Sequence, residues 1–488
     1  MADEKNNQVR VRMAPSPTGP LHIGGVRTTL FNWLFAKQNN GVFVLRIEDT
    51  DKERSKKEYE NSILEGFKWI NLDWDEGPDI SDPKKYLGSY GPYRQSERAE
   101  IYKNYLQKLL DDGNAYYCYC SKEDLEIEKQ DMASRGLPPK YSGHCRNLKT
   151  PPEGKTPQVI RFKVPSNTKV EFKDMIRGNI SFDADLFGDF IIAKDLDTPL
   201  YNFAVVVDDA KMEITHVIRG EDHISNTPKQ ILMQKALGFK EPIYAHIPLI
   251  LNPDKSKMSK RFSDVAFSNY IKNGYLPDAL FNFIAFLGWH PKGNDEVLSR
   301  EEIIKQFDIS KVQKAGAVFN IEKLNWLNKE YMKKMTDAEI AEKARHFFEE
   351  EKINYDENRL VKLISLLRSR VTTLKDFVEL GRFFFELSDY DPTLLMWEDA
   401  KKKDTLEILK EALTELGSIP ENDFNKENIS SKFEKMTEAK KKGEVFWPLR
   451  VAVSGMVSSP DPVYIIEALS KDESLKRIEL AIKKLENN

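Results

Sequence analysis

The chain predicts a parallel α/β domain that is interrupted by an α+β insertion and followed by an all-α C-terminal half. Three observations carry that expectation. A strand, a helix and a second strand fit within the first 47 residues. The texture changes between Lys84 and Asp195, where turns and prolines accumulate and all three cysteines fall. Beyond about residue 335, Lys, Glu and Leu recur with helical periodicity.

Val9 to Met13 alternates apolar and basic residues with period two, as a half-buried strand does. The turn-forming run Pro15-Ser16-Pro17-Thr18-Gly19-Pro20 follows. Val26, Leu30, Trp33 and Leu34 then recur at helical spacing, and Asn39-Asn40-Gly41 marks the stop. Val42 to Ile47 is a compact apolar run with one arginine, read as a second buried strand. Strand, helix and strand in this span make a βαβ unit, hence a parallel sheet. Ligands in such sheets bind at the carboxyl ends of the strands. Pro15 to Gly25 and the acidic run Glu48-Asp49-Thr50-Asp51 both fall there. Strand-like sequence returns at Phe203 to Val207 and at Ile214 to Ile218, ahead of Arg219-Gly220-Glu221-Asp222-His223. Leu360, Leu363, Ile364 and Leu367 share one helix face in the C-terminal half, and no repeat has a solenoid period.

A chain of 488 residues exceeds one ordinary core, and roughly three domains are expected. Hydrophobic residues make up 40% and charged residues 31%, the balance of a folded globular protein. With 74 basic against 78 acidic residues the net charge is −4, so a polyanion must be met by local basic patches. No long uncharged apolar run suggests a membrane span. The polar start from Met1 to Gln8 lacks the apolar centre of a secretion signal. Three cysteines do not make a disulfide framework. A cytoplasmic protein without a membrane partner is expected.

Two short motifs carry chemistry. His22-Ile23-Gly24-Gly25 opens the first helix, whose N-terminus offers free amides and partial positive charge to phosphate oxygens. Glycines let a base and sugar approach the backbone, and a histidine there can donate to charge developing at phosphorus. Lys257-Met258-Ser259-Lys260-Arg261 follows Asn252-Pro253-Asp254-Lys255, which reads as a mobile loop able to close lysines over a triphosphate. A capping histidine and an exposed basic loop are the plainer alternatives for each motif alone. Gly154-Lys155-Thr156 mimics the end of a phosphate-binding loop, but the required earlier glycine is Lys149.

Taken together, several segments resemble the class I aminoacyl-tRNA synthetases, and within them the bacterial glutamyl-tRNA synthetases. They are Arg12-Met13-Ala14-Pro15-Ser16-Pro17-Thr18-Gly19, His22 to Gly25, Arg46-Ile47-Glu48-Asp49-Thr50-Asp51, Gly91-Pro92-Tyr93-Arg94-Gln95-Ser96-Glu97-Arg98, Val206-Val207-Asp208-Asp209, Val217 to His223, and Lys257 to Arg261. The resemblance implies a Rossmann-type catalytic domain in two halves, residues 1–83 and 196–250. It implies an inserted acceptor-binding domain at 84–195, a stem-contact region with the Lys257 loop at 251–335, and a helical anticodon-binding region at 336–488. The implied reaction joins L-glutamate to tRNA(Glu) through a glutamyl-adenylate, using ATP with Mg2+, in an enzyme expected to be a monomer. It also implies that tRNA is bound before efficient activation.

The resemblance assigns catalysis to His22, Lys257 and Lys260, and ATP contacts to His22, Gly24, Gly25, Asp222, Ile250, Lys257, Ser259 and Lys260. It assigns the amino-acid pocket to Arg12, Ala14, Ser16, Glu48, Tyr201 and Arg219, with Glu48 facing the α-ammonium. The residue types suit glutamate independently: two carboxylates call for two cationic forks, and one ammonium for an acid. Which arginine takes the side-chain carboxylate stays open. Arg370 and Arg450 fall at positions that touch anticodon bases, where a planar fork can stack and pair.

Cys118, Cys120 and Cys145 leave two readings open, three thiolates around structural zinc or three thiols without metal. Some relatives supply a histidine as the fourth ligand where this chain has Asn147, and Tyr141 or His144 are the alternatives here. Rival activities fit less well. A short glutamyl-transferring enzyme acting on a modified tRNA base, or a small-molecule nucleotidyltransferase, needs no helical C-terminal half. A glutaminyl-tRNA synthetase is expected to carry β-barrels there, and that strand pattern is missing.

Overall fold

The alternating run at the front folds as the strand Arg10–Met13, followed by the helix Ile23–Gln38 and the strand Val42–Leu45. The strands pair in parallel, Arg10 opposite Val42 and Met13 opposite Leu45. The helix ends where Asn40 takes a φ of +48°. Gly41 then passes so close to strand one that a Cβ would lie 2.5 Å from the Val9 carbonyl oxygen, which restricts the position to glycine.

This computed structural model describes residues 8–82, 84–137, 139–258, 266–438 and 440–487. They form two compact units, one reaching Tyr270 and including Pro277–Leu324, the other made of Ile271–Leu276 and the chain from Asn325.

In the first unit a second parallel pair, His216–Gly220 with Ile243–Ile247, lies beside the first. The Thr215 N–H donates to the Arg10 carbonyl at 2.9 Å, and the Arg10 N–H donates to the Thr215 hydroxyl at 2.8 Å. The hairpin Lys169–Asp174 and Gly178–Asp183 extends this pair, with Tyr244 opposite Asp174. Residues that sequence texture assigns to the insertion therefore extend this sheet, the first strand in parallel and the second antiparallel. The rest of that segment carries its own antiparallel sheet of Ala115–Cys118, Val159–Phe162 and Ile191–Ala193. Tyr102, Leu106, Phe162, Ile192, Ile231 and Tyr244 belong to one apolar core that joins both sheets.

One expectation is corrected. Phe203 to Val207 is not a strand but the middle of the helix Tyr201–Lys211. Three consecutive valines favour a strand by propensity. Here Phe203, Ala204 and the valines are each at most 1% exposed, and a helix apolar all round is stabilised by burial, which overrides propensity. Asp208 and Asp209 close this run and are buried as well.

The second unit is helical among its described residues. Leu360, Leu363, Ile364 and Leu367 are buried on the helix Glu357–Leu367. Thr336 and Glu339 form a capping box at the start of Asp337–Glu350. Buried Arg477 donates to the Phe383 and Val453 carbonyls at 2.8 and 2.7 Å, satisfying acceptors near the ends of two helices. Among the described residues no helix is long and apolar enough to cross a membrane.

Candidate active site

The carboxyl ends of Arg10–Met13 and His216–Gly220, the start of the first helix and the segment after Leu249 surround a cavity of about 740 Å³ in the first unit. Arg12, Ala14, Ser16, Glu48, Tyr201 and Arg219 line it, and so do His22, Gly24, Gly25, Asp222, Ile250 and Lys257. All the residues expected to hold the amino acid and nucleotide thus meet in one place, apart from Ser259 and Lys260, which lie outside the described residues.

At the glycine-rich end, His22 caps the first helix: its Nδ1 accepts from the Gly25 N–H at 3.1 Å. Capping and catalysis are not alternatives here. With Nδ1 accepting, the neutral ring carries its proton on Nε2, where it can be donated. A Cβ on Gly24 would lie 3.2 Å from His22 Nδ1, whereas one on Gly25 would meet its nearest protein atom at 3.5 Å. Gly24 therefore guards the histidine, and Gly25 leaves backbone open on the cavity wall.

Lys257 arrives by a hairpin. Leu251 bridges antiparallel to Lys257, and the Asn252 N–H donates to the Ser256 carbonyl at 2.9 Å. Asp254 accepts from the Ser256 N–H at 2.8 Å, and Lys255 turns the chain at a φ of +64°. The segment expected to be a mobile loop is, up to Met258, a hydrogen-bonded turn that returns an exposed lysine to the rim.

The end of the cavity lined by Arg12 and Glu48 is built from buried charges. Arg12 Nε lies 3.1 Å from Asp209, and fully buried Arg46 reaches Asp209 at 2.8 Å, Glu48 at 3.3 Å and Asp208 at 3.5 Å. Asp208 also binds Arg98 Nε at 2.6 Å. Three arginines alternate with three carboxylates, which offsets much of the desolvation that each would suffer alone. Burial opposes ionisation of Asp209, but Arg12 and Arg46 hold it below the usual carboxylate range. Burial prevails at Glu48, pushing it up to about 7 against the pull of Arg46 and Arg12.

Arg219 differs from this network. Its Nη2 donates to the Thr227 hydroxyl at 2.6 Å and its Nε to His246 Nε2 at 3.3 Å. Its Nη1 is buried without a hydrogen-bond partner. An arginine held by neutral acceptors, with an unsatisfied donor beside a cavity, is suited to an incoming carboxylate. The Tyr201 hydroxyl lies 3.1 Å from His223 Nδ1, and burial together with the Arg219 charge lowers His223 to about 4. His223 is thereby neutral at pH 7.

The cysteines form a separate cluster; none lines the cavity. Cys118, Cys120 and Cys145 hold their sulfurs within 4.8 Å of one another, and Cys120 Sγ is 3.6 Å from Cys145 Sγ. The Tyr141 oxygen lies 3.4 and 3.5 Å from the sulfurs of Cys118 and Cys120. Sulfurs sharing a tetrahedral zinc at about 2.3 Å would stand about 3.8 Å apart, so this set fits the metal. His144 is exposed.

Arg370 and Arg450 belong to the second unit. Arg370 is exposed in the turn that closes Glu357–Leu367, with its N–H donating to the Leu367 carbonyl at 2.8 Å. Arg450 is half-buried and donates from Nη1 to the Ser459 carbonyl at 2.5 Å, so part of its fork is already engaged.

Sequence reasoning assigned no role to Arg46, Asp208 or Asp209, nor to Arg27, His223 and Asn226, which also line the cavity. Two adjacent acids closing an apolar run are a detectable signal, because such acids are buried only when paired. Arg27 lies five residues beyond His22 and donates to the Pro248 and Leu287 carbonyls; no local pattern betrays that.

Comparison with known proteins agrees with this geometry. Residues 8–326 match the family of class I tRNA synthetases (E and Q), catalytic domain, and residues 329–482 match an anticodon binding domain. A glutamate–tRNA ligase of Carboxydothermus hydrogenoformans is 43% identical over 96% of this chain and 99% of its own length. One from a Sulfurihydrogenibium species is 45% identical over 96% of this chain and 98% of its own. The crystal structure of a glutamate tRNA ligase from Elizabethkingia meningosepticum in complex with its amino acid matches with a TM-score of 0.84 at 36% identity, covering 98% of this chain and all of that one.

Proposed function

The chain belongs to the class I tRNA synthetases of the glutamate and glutamine group, and from that premise we propose that it is a glutamate–tRNA ligase acting as a monomer in the cytoplasm. Its family uses ATP with Mg2+, and an ion arriving with the nucleotide would offset part of the phosphate charge beside His22 and Lys257. A glutamate α-carboxylate oxygen attacks the α-phosphorus of ATP, and the bond to the bridging oxygen of pyrophosphate breaks. No base is needed, because the nucleophile is already an anion. His22 donates from Nε2 to the phosphate while Lys257, with Lys260, offsets the charge that builds on the triphosphate. Gly24, Gly25, Asp222, Ile250 and Ser259 complete the nucleotide contacts. A ribose hydroxyl of the 3′-terminal adenosine of tRNA(Glu) then attacks the acyl carbon, and AMP leaves.

Arg219 takes the side-chain carboxylate, on the strength of its unsatisfied Nη1. Arg12, already paired with Asp209, serves the other end of the substrate with Ala14, Ser16 and Tyr201. Ionised Glu48 receives the ammonium. The observation that carries the reading is the single cavity joining the His22 helix cap, Lys257 and two buried arginines. ATP–pyrophosphate exchange tests it, run with glutamate or glutamine and with or without tRNA(Glu) or tRNA(Gln). Exchange is expected with glutamate and tRNA(Glu); exchange driven by glutamine would overturn the reading.

Arg370 and Arg450 are proposed to touch the anticodon, with exposed Arg370 the more available. Cys118, Cys120, Cys145 and Tyr141 would hold a structural zinc that ties the ends of the 118–145 segment. Protein purified without added zinc is expected to contain one zinc per chain, and metal-free protein of normal activity would retire the site.

A further inference from the structure

We infer that Asp174 and His246 are positioning residues for glutamate recognition, setting the orientation of Arg219 through the tautomer of one buried imidazole; this rests on the proposed function. Asp174 closes the strand Lys169–Asp174, which lies between Ile243–Ile247 and Gly178–Asp183, and His246 lies in Ile243–Ile247. Both are buried, at 1% and 0% exposure. One Asp174 oxygen accepts from the Ile176 and Arg177 N–H groups, each at 2.9 Å. The other accepts from the His246 N–H at 3.0 Å and lies 2.7 Å from His246 Nδ1. A carboxylate so placed keeps the ring proton on Nδ1. Nε2 is then an acceptor, facing the Thr227 hydroxyl at 3.0 Å and Arg219 Nε, which donates to it at 3.3 Å. Thr227 fixes Nη2, leaving Nη1 for the substrate. Burial lowers His246, so the ring is neutral and its contact with Asp174 is a hydrogen bond rather than an ion pair. Tyr244 stacks on the ring at 6.1 Å between centroids and 11° between planes, which restricts its rotation.

The same hairpin holds the next stretch of the site. Arg177 pairs with Glu221 and donates to the Lys314 carbonyl at 3.1 Å, and Glu221 accepts from the Leu249 N–H at 2.7 Å. Two residues of one edge hairpin therefore brace the chain on both sides of Gly220, between Arg219 and the cavity-lining Asp222.

Three variants test the relay. In Asp174→Asn the amide oxygen can serve Ile176 and Arg177, which turns the NH2 towards His246. Nδ1 must then accept, the proton moves to Nε2, and two donors face each other at Arg219. His246→Asn keeps a donor for Asp174 but loses the acceptor, whereas His246→Gln keeps an acceptor near the Nε2 position. Glutamate-dependent exchange with tRNA(Glu) should show KM for glutamate raised about tenfold or more in Asp174→Asn and His246→Asn, the loss of one hydrogen bond to a charged group. KM for ATP should stay within about twofold, and His246→Gln should recover most of the glutamate affinity. Unchanged glutamate KM in the first two, or equal losses for both substrates in all three, would overturn the inference. If Asp174→Asn does not fold, the two His246 variants decide. The unmodified enzyme measured alongside separates the claims: its failure to activate glutamate would sink the proposed function, while its normal activity beside unaffected variants would sink only the relay.

Discussion

The two ends of the cavity are built in opposite ways. At the end proposed for the amino acid, Arg12, Arg46, Asp208, Asp209 and Glu48 are all buried and bind one another. At the end proposed for the nucleotide the wall is backbone, with glycines behind a helix-capping histidine, and the charge comes from exposed Lys257. A buried, mutually paired network holds fixed geometry, which suits discrimination between similar amino acids. An open backbone wall with a solvated cation suits a polyphosphate, whose charge moves during the reaction. Selectivity and catalysis are thereby expected to fail separately.

The strongest test of that separation is Arg219→Ala. Removing the cation that meets the side-chain carboxylate should lower kcat/KM for glutamate by about 10²–10⁴-fold, with an unchanged circular dichroism spectrum. Near-normal activity would remove Arg219 from the pocket and with it the contrast. Lys257→Ala should act on the other end, lowering kcat about 10- to 100-fold with little change in glutamate KM. A rise in glutamate KM instead would show the two ends to be coupled.

Gly25→Ala sharpens the picture of the backbone wall. Its Cβ meets no protein atom closer than 3.5 Å, so thermal stability should be nearly unchanged. KM for ATP should rise severalfold in exchange assays, because the methyl group enters the cavity.

The smallest effect concerns pH. Glu48 is raised from its ordinary 4.5 to about 7 by burial. A folded-state pKa above the unfolded value means that its contribution to stability is complete below the unfolded pKa and is lost as pH rises through the folded one. The unmodified protein should therefore lose melting temperature relative to Glu48→Gln between about pH 5 and pH 8. Glutamate KM should fall over the same window as the carboxylate ionises to meet the ammonium, and the variant should show a flatter profile. Parallel profiles in both proteins would remove Glu48 from ammonium binding.

Residues that act through their sequence neighbours were readable before the structure. His22 caps its helix through Gly25, three residues on, and Gly24 belongs to the same turn. Arg12, Glu48 and Arg219 were readable because strand ends in a parallel sheet converge. Phe203 to Val207 was misread, since three valines look the same in a strand and in a helix buried on every side. The hairpin at 169–183 was read as insertion, because nothing in its composition reveals that Asp174 lies opposite Tyr244.

Composition and periodicity determined the α/β-then-helical organisation, and the resemblance carried by several short segments named the residues expected at the two ends of the cavity. Tertiary structure decided which charges are neutralised and which are left to meet a substrate: Arg12 and Arg46 share Asp209 across more than 150 residues of chain, whereas Arg219 is held by Thr227 and His246. A cap or a turn depends on dihedral angles a few residues apart, while the pairing and protonation of a buried group depend on atoms that only the packed sheet brings within hydrogen-bonding distance.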